Sequence, residues 1–280
     1  MQSTAENLIQ AARHLCAAVE QLGFGLPITR VYNPLAYAWK VHETYLKRYG
    51  NSRKRVVFLG MNPGPFGMVQ TGVPFGEVRA VRDWMEIEAA VGRPGNLEIH
   101  SGSRRARRPG VHSDAAASIV SEAGKRNRLA RVNEGEHPKR PVLGFACLRS
   151  EVSGRRLWNL FAHRFGKAEN FFTDHFVVNY CPLAFFETSG RNRTPDKLPA
   201  SQLTPLLKAC DEHLRRTVEI LQPEWVIGVG RFAEQRAKQV FPGGQTRIGS
   251  ILHPSPANPA ANRDWEGIVI AQLNKLGVWW

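Results

Sequence analysis

Residues 56–78 read VVFLGMNPGPFGMVQTGVPFGEV, and the change of character after the fourth letter decides the fold. Val56, Val57, Phe58 and Leu59 form a continuous apolar run, the pattern of a strand covered on both faces. The Gly- and Pro-dense stretch that follows has to turn tightly and leave backbone groups exposed. Two more runs, at 176–178 and 225–227, are equally continuous, and a fourth short apolar run lies at 248–252. Helical patterns surround them. Leu8, Ala12, Leu15, Val19 and Leu22 form one face of an N-terminal helix ended by Gly23 and Gly25. The aromatic-rich 32–50 segment reads as a turn and short helix leading into the first strand. Leu203, Leu207, Cys210, Leu214, Val218 and Leu221 form a stripe closed by Pro223. A shorter helix is expected over 231–240, and Trp265, Val269, Leu273 and Leu276 mark a last one. Strands alternating with helices predict a three-layer α/β/α sandwich with a mainly parallel central sheet. Ligands of such sheets sit beyond the carboxyl ends of the strands.

The whole chain, 1–280, reads as a single domain with one interruption. Residues 93–136 have few large apolar side chains and no sustained period, so they are expected to form a flexible basic insertion. They hold nine Lys or Arg and five Asp or Glu. Arg104, Arg105, Arg107 and Arg108 are candidates for a tether to phosphates.

Charge narrows the partner. Lys and Arg number 38 against 24 Asp and Glu, a formal net charge of +14, which suits a polyanion such as nucleic acid or an anionic surface. No run approaches the ~18 apolar residues of a spanning helix, and the first residues do not form a secretory signal. No membrane partner is expected. Cys16, Cys147, Cys181 and Cys210 are far apart, without metal-ligand spacing. No metal and no other cofactor is expected. Scattered cysteines suit an intracellular, reducing compartment: cytoplasm or nucleoid in a bacterium, the nucleus in a eukaryote. A monomer is expected.

Three polar side chains fall at strand ends: Asn62 in the first loop, Asn179 after 176–178, and His253 after 248–252. Two amides and an imidazole there suit a site that reads a polar planar group. Each taken alone also has an ordinary structural role, an Asx turn or a satisfied histidine, and Phe75 alone suits a core. Asn258 and Pro259 suit the cap and first turn of the last helix.

GMNPGPFGMVQTGVPFGEV at 60–78 resembles the first motif of the single-strand-selective monofunctional uracil-DNA glycosylase family. HPSPANPAANRDW at 253–265 resembles its second motif. YNPLAYAW, HPKRP, SEVSGRRLW, VVNYCPL, SGRNRTPDKLPA and VIGVGRFAEQRA resemble it between them. The likeness spans nearly the whole chain except the first ~25 residues and 93–136.

The resemblance implies a uracil-DNA glycosylase-like fold and hydrolysis of the bond between uracil and deoxyribose in single- and double-stranded DNA, leaving an abasic site for base excision repair. Asn62 matches the residue that positions the attacking water, and His253 the residue that hydrogen-bonds uracil O2 as charge builds there. Phe75 matches the stacking aromatic and Asn179 the amide that reads the base edge. Met61 and Gly64 lie where the family approaches the base, Gly64 with an open C5 side that admits 5-hydroxymethyluracil. No motif position carries a Schiff-base lysine, so no strand-cleaving step is expected. The second motif, with Pro254, Ser255, Pro256, Ala257 and Asn258, and Arg263 beyond it, corresponds to the part that meets or wedges the DNA. Ala257 stands where the family often has Arg, so a stronger preference for single strands is expected, or a wedge supplied by Asn258 or Arg263. Two alternatives stay open: a binding module with weak or no catalysis, and a glycosylase for hypoxanthine or xanthine.

Overall fold

In the computed structural model, residues 2–95 and 135–280 are described. The chain runs α1 (Thr4–Glu20), β1 (Ile28–Tyr32), α2 (Pro34–Tyr37), α3 (Trp39–Tyr49), β2 (Val56–Gly60) and α4 (Met68–Thr71). After the insertion come α5 (Val152–Phe165), α6 (Ala168–Asp174), β3 (His175–Asn179), β4 (Ala184–Glu187) and β5 (Asn192–Arg193). The last elements are α7 (Ala200–Leu221), β6 (Trp225–Val229), α8 (Arg231–Val240), β7 (Arg247–Ile251) and α9 (Pro259–Lys275).

The four expected strands form one parallel sheet in the order β3-β2-β6-β7. β2, β3 and β6 are buried at every position, which is why their sequences do not alternate. Helices cover both faces of the sheet, as the α/β/α reading requires. On one side α1 packs on α3 and α7; on the other α5 contacts α6 and α9. Beneath β2 an aromatic cluster fills the second interface: Phe58 meets Phe161 at 5.0 Å, and Phe161 stacks on Phe171 at 4.1 Å between ring centroids.

Register fixes the business end. Gly60 pairs with Asn179, and Val229 with Ile251, so the loops after β2, β3 and β7 leave the sheet at one level. A second, antiparallel sheet of order β1-β4-β5 was not foreseen from the sequence. Its strand β4 comes soon after β3, and its strand β5 reaches the first loop, where Asn192 Nδ2 donates to Pro63 O at 3.3 Å. The helix stripe of α7 also differs at its start. Leu206 is the buried residue there, while Leu203 and Leu207 are half-buried.

The proposed tether arginines, Arg104 to Arg108, lie outside the described residues. The flanks of that segment meet: Arg93 Nη1 donates to Glu136 Oε2 at 2.9 Å. Among the described residues no helix is long and apolar enough to cross a membrane.

Candidate active site

The four residues expected to carry chemistry converge beyond the carboxyl end of the sheet. Gly60 is the pivot. A Cβ there would stand in contact with Asn179 Oδ1 and lie 2.9 Å from Phe75 Cζ, so glycine is required where these two side chains meet over the strand end. The Phe75 ring lies 6.4 Å from the His253 ring, inclined at 46°.

Asn179 is nearly buried, with 9% exposure. Its Nδ2 donates to Met68 Sδ at 3.2 Å, while Oδ1 is buried with no hydrogen-bond partner. A buried acceptor left unmatched costs about 1–3 kcal/mol. Such an atom marks either strain or the place of a missing donor. Asn62 has the same arrangement: Nδ2 donates to Leu183 O at 3.2 Å, which orients its amide with Oδ1 as the available acceptor.

His253 is held with equal definition. The Ser255 amide donates to His253 Nδ1 at 3.1 Å. Nδ1 is therefore an acceptor, and in the neutral ring the proton sits on Nε2. Burial holds the imidazole pKa below its ordinary value, favouring that neutral form. Leu252, just before it, is gripped twice: Trp265 Nε1 donates to Leu252 O and the Leu252 amide donates to Gln272 Oε1, both at 2.8 Å. Gly230, at φ +93°, passes under the ring, where a Cβ would be 3.1 Å from His253 Cβ. The glycines of the VIGVG stretch thus answer to His253 and to the close start of α8.

Phe75 has a positive φ of 53°, uncommon for an aromatic residue and worth a functional reading. Two residues of α5 hold it there. Trp158 Nε1 donates to Phe75 O at 3.0 Å, and Gly154 admits the Phe75 carbonyl where a Cβ would collide. Neither role was visible in the sequence, because α5 lies some eighty residues away.

The remaining expected residues divide. Met61 sits between Gly60 and Asn62, its carbonyl accepting from the Cys181 amide at 2.9 Å. At Gly64 the Cβ direction is filled by the Glu151 carboxyl, 2.7 Å away at Oε1, so that contact requires glycine. Burial pushes Glu151 up to about 7, with the Phe66 and Gly67 amides opposing and Glu77 adding to the rise.

In the second motif Pro254 is buried, while Pro256 and Ala257 are exposed at the surface. Ser255 Oγ accepts from the Ala257 amide at 3.2 Å. Asn258 caps α9 by accepting from the Ala260 amide at 3.1 Å. Its Oδ1 is thereby committed to the cap. Arg263 is exposed. Arg156 ties α5 to this loop, donating to Pro254 O and to Asn262 Oδ1, each at 3.0 Å.

Asn62, Phe75, Asn179 and His253 thus gather beyond the strand ends of an α/β/α sheet, with an unmatched amide oxygen on Asn179 and an imidazole on His253 whose Nδ1 accepts from the backbone. Comparison with known proteins agrees. Residues 47–273 match the family model described as the uracil DNA glycosylase superfamily. The single-strand selective monofunctional uracil DNA glycosylase of Bos taurus is 42% identical over 278 residues, covering 99% of this chain and 88% of that one. The corresponding Rattus norvegicus protein is also 42% identical, covering 99% of this chain and 86% of that one. The crystal structure of wild-type SMUG2 from Pedobacter heparinus superposes with a TM-score of 0.61 at 17% identity, covering 99% of each chain. The last likeness concerns the fold. The chain belongs to the uracil-DNA glycosylase superfamily.

Proposed function

We propose that this protein is a monofunctional uracil-DNA glycosylase that hydrolyses the N-glycosidic bond of uracil in DNA, with preference for single strands. The observation that carries the reading is the unpartnered, buried Asn179 Oδ1 at the junction of Gly60 and Phe75. Uracil N3–H is a donor for that oxygen, and O4 is an acceptor for Nδ2. Cytosine presents the reverse pattern on that edge.

The target base has to leave the stack to enter such a pocket. Phe75 takes one face of it, a contact of about 1–3 kcal/mol per base. His253 Nε2–H donates to O2, where charge gathers as the C1′–N1 bond breaks and its electron pair passes to the base. A preorganised donor of this kind is worth roughly 2.7–4 kcal/mol. Asn62 Oδ1 accepts from the incoming water and orients it toward C1′. An amide is too weak a base to deprotonate that water first, so bond breaking leads and water adds to a sugar with cation character. The water's proton passes through solvent, and the released base is protonated at N1. No lysine is needed, and the product is an abasic site.

Single-strand preference is supported by exposed Ala257 and by Asn258 being tied into its cap: neither fills the gap an extruded base leaves in a duplex. The substrate range proposed includes 5-hydroxymethyluracil, on the likeness of the first motif. Oligonucleotides bearing uracil, 5-hydroxymethyluracil, hypoxanthine or xanthine, followed by alkaline cleavage of abasic sites, test the activity and its range. Uracil release is expected, reduced by orders of magnitude in Asn62→Ala and His253→Ala. No release from any oligonucleotide would leave a binding module.

A further inference from the structure

Outside the base pocket, a second cluster stands on the same first-motif loop. Phe66 lies four residues beyond Asn62 and is half-buried. Arg149 Cζ sits 4.0 Å from its ring centroid and Arg140 Cζ 5.3 Å from it. Two guanidiniums share one phenyl ring. Arg140 uses Nε to donate to Gly190 O at 2.6 Å. Among the described residues Arg149 makes no side-chain hydrogen bond, and neither arginine has a carboxylate partner. The nearby acid, Glu151, is turned under Gly64 and Gly67.

Two like charges so placed repel each other. Burial and the neighbouring Arg149 together hold the Arg140 pKa below its ordinary value. An anion between them would relieve that repulsion, and guanidiniums match phosphate oxygens in geometry. Next to Arg149, Leu148 is 98% exposed, and Leu143 on the same turn is 51% exposed. A single exposed leucine is ordinary. This one adjoins Arg149 and lies three residues, about 10 Å of chain at most, from Glu151, whose carboxyl underlies Gly64.

We propose that Arg140 and Arg149, stacked on Phe66, hold a backbone phosphate of the strand flanking the extruded nucleotide, and that Leu148 lies against the neighbouring base. The proposal rests on the glycosylase reading for its substrate. The occupant is a DNA single strand: the arginines supply charge for its phosphate, and Leu148 supplies the apolar surface that an unstacked base needs. This would place a DNA contact beside the first-motif loop and give the enzyme a grip on strands that lack a partner.

The test is binding of a uracil-free single-stranded oligonucleotide, followed by fluorescence anisotropy over a range of salt, beside excision at saturating uracil substrate. For single strands each phosphate contact contributes about 0.7 to the slope of log affinity against log salt. Arg149→Ala is expected to lower the slope by about 0.7 and to weaken binding, with maximal excision rate within about threefold of wild type. Arg149→Lys should keep the slope. Leu148→Ser should weaken binding several-fold with the slope unchanged. Arg149→Ala with an unchanged slope and a native melting temperature overturns the proposal. Failure of wild type to release uracil sinks the glycosylase reading instead, and leaves the salt slopes to decide the phosphate contact by themselves.

Discussion

Replacing Asn179 by leucine separates what the residue does for the base from what it does for the fold. Leucine is close to asparagine in size, and it removes both the orphan Oδ1 and the donor Nδ2. The lost protein contact is one N–H to sulfur hydrogen bond with Met68 at 3.2 Å. Against it stands the relief of a buried unmatched acceptor, about 1–3 kcal/mol. A small cavity lined by Met68, Pro74, Val178 and Asn179, among others, gives the branched side chain room. The sum is a stability change near zero or favourable by about 1 kcal/mol, which for a chain of this size is a melting shift of at most about 2–4 °C. Catalysis goes the other way. Uracil loses an acceptor for N3–H and a donor for O4 in a dry pocket, together about 3–4 kcal/mol, or a hundred- to thousandfold in kcat/KM. Thermal unfolding and single-turnover uracil release on the same preparation give the two numbers. A fall of many degrees in melting temperature would show that Asn179 is structural. Excision within tenfold of wild type would show that the base edge is read elsewhere. Either result refutes the assignment.

Three further outcomes follow from the same geometry. The His253 ring should be neutral at pH 7 with its proton on Nε2, because Nδ1 accepts from the Ser255 amide and burial lowers its pKa; imidazole nitrogen chemical shifts report this, and an imidazolium at pH 7 contradicts it. Trp158→Phe removes the donor to Phe75 O at 3.0 Å, at a cost of about 1 kcal/mol in stability, and frees Phe75 from its positive φ; KM for the uracil strand should rise more than kcat falls, and unchanged kinetics would mean that Phe75 is held by other contacts. Acid stability should decline early, since burial lowers His42 and His175 from 6.5 to about 4. Both rings are neutral in folded and unfolded chains above pH 6.5. Between that value and about 4 only the unfolded chain takes up protons, so stability falls as pH drops through this window. Each histidine accounts for up to about 3 kcal/mol at its lower end, and chemical denaturation at pH 7, 5.5 and 4.5 measures the loss.

The parallel sheet was legible because its strands are short, unbroken and bounded by Gly or Pro; burial on both faces writes itself into consecutive apolar letters. The antiparallel sheet was not. β1 reads ITRVY and β4 AFFE, too short and too mixed to show a period, and their pairing joins residues some 150 positions apart. The site shows the same division. Asn62, Asn179 and His253 could be read as a set because each ends a legible strand, and Gly60 opposite Asn179 in the register brings two of them together. The residues that aim them could not be read: Gly154 and Trp158 act on Phe75 across the insertion, Glu151 acts on Gly64, and Gln272 on Leu252. Their types carry no signal, since a tryptophan in an amphipathic helix usually means core. What distinguishes them is that each meets a chemistry-bearing loop, Trp158 and Gln272 by a hydrogen bond to its backbone and Gly154 by leaving room for it. Stability and aim are therefore supplied by the same contacts, while the Asn179 oxygen is left without a partner among the described residues, open to the N3–H that a uracil edge would offer.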